Sequence, residues 1–382
     1  MVQIAVRIFR SFSYPFNCKF VILAYHMLSL TIKFSATIII YASYINFNLK
    51  GLIIIVKISV LDYAVIDEEK DAVTAVKEAI ELAQHAEALN FSRFFVAEHH
   101  DVKSFASSSP ELLMMKLLDE TNDIQIGSAG VMLPHYSPLK VAENFRMLEA
   151  FHCGRVNLGF GNTFGTAKIQ RAMDTKKADF DYEHHIDTLQ QHLTNASNIT
   201  VHPETSSAPS MWMLSTSERS AKLAAKLGVG YIFGLFPYAS TDKIPTGRRA
   251  IKQFKEMFQP SKTNETPITI AAVFVVISDT DEKAETLANA LDVWLLGKNN
   301  FNEFEYFPSV ETAKAYDYTD DELKRMKANR TRMVVGSKET VKAKLLDIQN
   351  ELSADELLII PLMPGFNNRK HALTLIHEAF NL

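Results

Sequence analysis

The sequence predicts an α/β fold of the (β/α)8 class, a TIM barrel with insertions after the fourth and seventh strands. Three observations support this. From Lys57 onward, strand-like and helix-like patterns alternate, as βα units laid on a parallel sheet require. Most of the strand runs are continuously apolar, which suits strands covered by helices outside and a packed barrel interior inside. Within Phe94 to Gly165, three strand runs end in small or polar clusters: Glu98-His99-His100, Ala129-Gly130, and Gly159 to Gly165. In such a barrel the C-terminal strand ends open onto one face, where ligands bind.

The eight strands are expected at Lys57–Tyr63, Arg93–Ala97, Ile124–Val131, Val156–Phe160, Ser210–Leu214, Gly230–Gly234, Ile268–Ser278 and Glu356–Pro361. Helices are expected between them. Ala72–Leu89 sets Val73, Val76, Ala79, Ile80, Ala83 and Leu89 near one stripe, with Lys77, Glu78, Glu81 and Glu87 largely elsewhere. Ser217–Lys226, Thr280–Leu296, Lys338–Leu352 and His371–Phe380 also read as helices. The insertions fall at Thr163–Thr205 and Lys298–Val335. The second is rich in Phe and Tyr, and a long segment of that kind in a compact domain reads as a lid or as disorder.

Composition narrows the function classes. Of 382 residues, 47% are hydrophobic and 22% charged, as in ordinary globular proteins with a substantial core. A net charge of −4 and the lack of a basic run with interleaved aromatics argue against a nucleic-acid partner. Two cysteines, Cys18 and Cys153, supply neither a disulfide framework nor a thiolate metal site, and they point to a reducing compartment. No metal site is expected from His99-His100 or His184-His185. Neighbours diverge on a strand and on a helix alike, and no HExxH or carboxylate cluster accompanies them.

The first 55 residues differ from the rest. They contain five basic residues and no Asp or Glu, against 35 basic and 44 acidic in the remainder. Residues 20–48 are mostly apolar, but His26 and Lys33 interrupt the roughly 20 clean residues a membrane span needs. A membrane anchor is therefore the second choice. The favoured reading is a translated leader from a misplaced start, with the domain running from Val56, encodable by the alternative start GTG, to Leu382.

The strand-end segments Ala97-Glu98-His99-His100, Gly127-Ser128-Ala129-Gly130-Val131-Met132-Leu133-Pro134 and Gly154-Arg155-Val156-Asn157-Leu158-Gly159 have a further property. In order and spacing they resemble the bacterial luciferase-like flavin monooxygenases, and the likeness extends from about Lys57 to the C-terminus. By itself His99 reads as a histidine bonding neighbouring loops; the resemblance gives it a catalytic, flavin-adjacent role, with an imidazole near its ordinary pKa. The resemblance also implies a non-proline cis peptide at Ala129-Gly130 buttressing the flavin ring, with Asp62 and Gly161 lining it.

The flavin phosphate is implied at Leu214 to Ser220, where hydroxyls meet a helix N-terminus, with Thr216 and above all Ser217 as its ligands. An ordinary helix cap is the alternative there. Asn162 stands where many relatives carry Arg, which removes one phosphate-binding cation; Lys168 or Arg171 is the expected substitute.

The implied activity is oxygenation of a small organic substrate by O2 and reduced FMN, with a separate NAD(P)H:flavin reductase supplying the reduced FMN. The location is cytoplasmic, and a homodimer is compatible with the reading. Two alternatives keep the barrel: hydride transfer with a deazaflavin, and a flavin-binding barrel without catalysis.

Overall fold

The computed structural model describes residues 56–175, 180–238 and 242–382. The leader and anchor expectations concern residues 1–55 and lie outside the described residues. Among the described residues, the unit Val56–Leu382 contains ten strands: β1 Lys57–Asp62, β2 Arg93–Val96, β3 Gln125–Ser128, β4 Val131–Met132, β5 Val156–Gly161, β6 Ser210–Ser215, β7 Gly230–Gly234, β8 Thr269–Ile277, β9 Met333–Gly336 and β10 Glu356–Ile360.

Every strand pairing is parallel. The order β1-β2-β3-β5-β6-β7-β8-β10 closes on itself, because β10 pairs with both β8 and β1 (Ile360 beside Phe274, Lys57 beside Glu356). All eight expected barrel strands are therefore present. β7, β8 and β10 are buried along their whole length, as strands between a helical shell and a filled interior must be.

At the N-terminal end of the barrel the interior is polar and mutually satisfied. Arg93 pairs with Glu356 and donates to Gln125 (3.0 Å), Asn157 donates to Gln125 (3.2 Å), and Trp212 Nε1 donates to Asn157 (2.9 Å). This plug closes one end and leaves the other for ligands.

Three details depart from the sequence reading. The third strand is not continuous: it breaks at Ala129-Gly130, and Val131–Met132 pairs with the end of β5 instead. The helix Ala72–Ala88 buries Ala75, Ala79, Leu82, Ala83 and Ala86, whereas Val73 is exposed. The buried stripe is rotated because small alanines let the helix lie close on the sheet. Finally, the second insertion ends in a strand of its own, β9, which extends the sheet along the far end of β8 (Phe274 beside Met333).

Both insertions are tied to the loop that follows β2. Lys168, in the first, pairs with Asp101 (2.7 Å). Asn302, in the second, donates to the Asp101 carbonyl (2.6 Å) and accepts from the Lys103 N–H (2.8 Å). The Phe307 N–H reaches the Ile66 carbonyl after β1 (2.8 Å). No helix among the described residues is long and apolar enough to cross a membrane.

Candidate active site

The end of β2 places Glu98, His99 and His100 on the open face, and the three side chains part company. Glu98 is buried and accepts three hydrogen bonds, from Met132 N–H (2.7 Å), Tyr136 OH (2.6 Å) and His100 Nε2 (2.7 Å). It thereby joins the loop after β2 to β4. His135, whose ring lies 6.4 Å from that of His100, bonds Thr175 through Nδ1, while its Nε2 is buried without a partner among the described residues.

His99 takes a different course. Its backbone N–H is fixed to the Ser107 carbonyl (2.9 Å), and its ring packs against Tyr63 (5.0 Å) and Phe105 (5.3 Å). No hydrogen bond from the ring nitrogens to another described residue is formed, which leaves them for a ligand. Burial among these rings lowers the imidazole pKa to about 4; the Glu98 charge works against that fall and His100 adds to it. The expectation of an imidazole near its ordinary value is thus corrected: at neutral pH His99 is uncharged.

Ala129-Gly130 is a cis peptide, as the resemblance implied. Its setting is tight. Ser128 Oγ donates to the Gly159 carbonyl (2.7 Å) and accepts from the Gly159 N–H (3.1 Å), locking β3 to β5. A methyl group added at Gly159 would lie 1.9 Å from the Ser128 carbonyl oxygen, and one at Gly130 would lie 2.7 Å from Phe160 N. Two residues further along β5 the picture reverses, since a methyl group at Gly161 would meet nothing within 4 Å. Space therefore opens at the strand end, and Gly161 borders it. Asp62, at the end of β1, is buried and turns its carboxylate back to the Ala64 N–H (2.8 Å); burial raises its pKa.

The end of β6 leads into the helix Glu218–Leu227. Ser217 is its N-cap: Oγ accepts from the Ser220 N–H (3.2 Å) and donates to Ser220 Oγ (3.1 Å), while the Ser217 N–H donates to Ser215 Oγ (3.2 Å). The backbone N–H groups of Glu218 and Arg219 stay without a hydrogen-bond partner among the described residues, as expected in a first helical turn. The Glu218 carboxylate is held by Arg249 (2.8 Å). Thr216 is half-buried in the same turn, and Asn162 is exposed. Lys168, one of the expected substitutes, pairs with Asp101 (2.7 Å).

Glu98, Tyr63, Phe105 and Trp294 were not singled out from the sequence. Nothing local marked Phe105 or Trp294, which arrive from a loop and from the end of the helix Asp281–Trp294 (rings 5.0 Å apart).

An eight-stranded parallel barrel whose open face holds this constellation is the frame of a ligand-binding (β/α)8 barrel. Residues 56–355 match the luciferase-like monooxygenase family, and the chain belongs to that family. The uncharacterized protein YwcH of Bacillus subtilis (strain 168) is 39% identical over 335 residues, covering 85% of this chain and 99% of YwcH. Among solved structures, apo-MsnO8 superposes with a TM-score of 0.75 at 28% identity, covering 86% of this chain and 98% of that one. The oxygenating constituent of 3,6-diketocamphane monooxygenase from Pseudomonas putida, solved in complex with FMN, shares the fold: TM-score 0.63, 15% identity, 85% of this chain and 97% of that one.

Proposed function

We propose that this member of the family oxygenates a small organic substrate with O2 and reduced FMN, the latter delivered by a separate NAD(P)H:flavin reductase. The observation that supports it best is the start of the helix Glu218–Leu227. There the Ser215, Ser217 and Ser220 hydroxyls surround two unfilled N–H groups, the chemistry a phosphate monoester needs. Ser217 and Thr216 would hold the phosphate, with Asn162 at the rim. The space beyond Gly161, bounded by Ala129-Gly130, would take the flavin ring, with Asp62 at the border.

When bound, reduced FMN supplies the two electrons that split O2, one oxygen atom entering the substrate and the other leaving as water. The chain's own residues orient and shield. Tyr63 and Phe105 keep bulk water from the His99 ring, and the neutral imidazole hydrogen-bonds near the reacting atoms, moving a proton at its free nitrogen. Glu98 is a positioning residue: by gripping Met132 N–H, Tyr136 and His100 it fixes the flavin wall relative to His99.

We place the functional unit at Val56–Leu382, leaving residues 1–55 outside it, and assign the protein to the cytoplasm, which suits the exposed free thiol of Cys153. A homodimer is part of the proposal; exposed Leu112, Met147 and Phe151 on the outer helices supply apolar surface for it. The test is stopped-flow mixing of the protein and reduced FMN with O2. Slower flavin reoxidation than in free solution, changed further by His99→Ala, is expected. Reoxidation identical to that of free FMN sinks the reading.

A further inference from the structure

A cavity of about 290 Å³ lies between the helices Asp281–Trp294 and Asp320–Arg330 and the strand β9. That volume is near the lower end for small-molecule sites. Glu285, Asn289 and Asp292 line it from the first helix, Met326 and Arg330 from the second, and Met333 from β9. Trp294, two residues past Asp292, is turned about 200° around the helix and packs on Phe105 instead (5.0 Å). The cavity and the rings around His99 therefore occupy opposite sides of one helix.

The charges in the cavity do not balance. The Asp292 side chain is 1% exposed, and its Oδ1 accepts from Arg330 Nε (2.7 Å). Arg330 Nη1 pairs with the exposed Glu285 carboxylate (3.0 Å). One guanidinium thus faces two carboxylates. Asp292 Oδ2 is buried without a hydrogen-bond partner among the described residues. Burial accordingly raises the Asp292 pKa, with Arg330 working against the rise. A buried carboxylate oxygen left unpaired is costly, and a donor arriving from the cavity removes that cost. Lys344, the other cation at the edge, is exposed and donates to the Val335 carbonyl (3.0 Å). Its charge also acts on Asp281, outside the cavity, adding to the Ser337 and Thr340 hydrogen bonds that keep that carboxylate ionised. The half-buried Asn289 side chain forms no hydrogen bond with another described residue.

We infer that this cavity binds a small organic cation, a primary alkylammonium, with its nitrogen on Asp292 Oδ2, Glu285 and Asn289 and its chain against Met326 and Met333. An ammonium brings three donors to those three acceptors, together with the missing positive charge. Methionine side chains adapt to varied apolar shapes and suit the chain. A calcium ion would need about six to eight oxygen ligands, and no group of three or more His, Cys, Asp or Glu able to hold a metal occurs among the described residues. An anion would meet the open Asp292 oxygen and be repelled. The site stands independently of the flavin reading.

The test is an NMR titration of the full chain labelled with carbon-13 in the methionine methyl groups, the Met326 and Met333 signals being assigned from Met326→Leu and Met333→Leu. The probes are n-pentylammonium, pentan-1-ol and pentanoate at pH 7.5. The ammonium should move both signals saturably and bind at least about tenfold tighter than the alcohol, and pentanoate should move neither signal. Glu285→Gln, on an exposed side chain, should weaken the ammonium at least about threefold, and Asp292→Asn at least about tenfold. Unmoved methionine signals, equal affinity for pentan-1-ol, or an ammonium affinity that Glu285→Gln leaves unchanged overturns the inference. If Asp292→Asn does not fold, the Glu285→Gln titration decides alone.

Discussion

Two glycines on β5, two residues apart, face opposite demands, and substituting each in turn separates packing from ligand space. At Gly159 a methyl group would sit 1.9 Å from the Ser128 carbonyl oxygen and 3.0 Å from its carbon, both backbone atoms. Contact distances below 3.0 Å do not occur at real Cβ atoms, so β5 must withdraw from β3 by at least about 1 Å. That breaks both hydrogen bonds of the Ser128 hydroxyl to Gly159. Overpacking costs about 1–3 kcal/mol, and two lost buried hydrogen bonds add about 1 kcal/mol each. Gly159→Ala should therefore destabilise by about 3 kcal/mol or more, lowering the melting temperature of a unit this size by roughly 4–5 °C or more. Gly161→Ala meets nothing within 4 Å and should melt as the parent does. Because its methyl group enters the space assigned to the flavin ring, it should instead weaken FMN about tenfold, or ~1.4 kcal/mol. Thermal unfolding and fluorescence titration with FMN read the two effects. Equal melting of Gly159→Ala and parent would refute the packing argument. Unchanged FMN affinity in Gly161→Ala would remove the ring from that space.

Three further expectations are open to measurement. His99→Ala should cut turnover by about 10²–10⁴ while leaving the barrel folded; His100→Ala, which removes one of three hydrogen bonds to Glu98 and leaves Tyr136 on the same oxygen, should cost less, and the reverse order in steady-state kinetics would move the catalytic assignment to His100. The His99 imidazole has a folded-state pKa of about 4 against an ordinary 6.5, so protons favour the unfolded chain. Its contribution to stability is complete above pH 6.5 and is lost as pH falls toward 4, about 2 kcal/mol having gone by pH 5. Between pH 7.5 and 5, urea unfolding should show the parent losing about that much more stability than His99→Ala; parallel losses would contradict the depressed pKa. Arg369 is buried and grips both oxygens of Asp67 (3.0 and 2.9 Å), so Arg369→Met should strand a buried carboxylate and cost about 3–5 kcal/mol by the same assay; a loss under 1 kcal/mol would show Asp67 solvated without it.

The barrel was legible because its periodicity is local. Each strand announces itself as an apolar run, and helix boundaries follow caps such as Ser217 and Thr280. β9 escaped notice because Met333–Gly336 is short and follows a charged helix, and its pairing with β8 is long-range. The break at Ala129-Gly130 was legible only through family resemblance, since an apolar run through Val131 gives no local sign of it. The site divides in the same way. His99, Gly161 and Ser217 lie at strand ends that the pattern locates. The His99 pKa, by contrast, depends on Tyr63 and Phe105, which reach the ring from loops the local pattern does not bring together.

The central claim, a flavin mononucleotide seated with its phosphate on the Ser217 helix start, is tested most directly by comparing FMN with riboflavin under anaerobic reduction. The two differ only in the phosphate. Reduced FMN should bind the parent at least tenfold tighter than reduced riboflavin, and Ser217→Asp, which sets a carboxylate against the phosphate, should abolish that preference while leaving riboflavin affinity alone. Equal affinities of the parent for both flavins, or a preference that survives Ser217→Asp, would contradict the account.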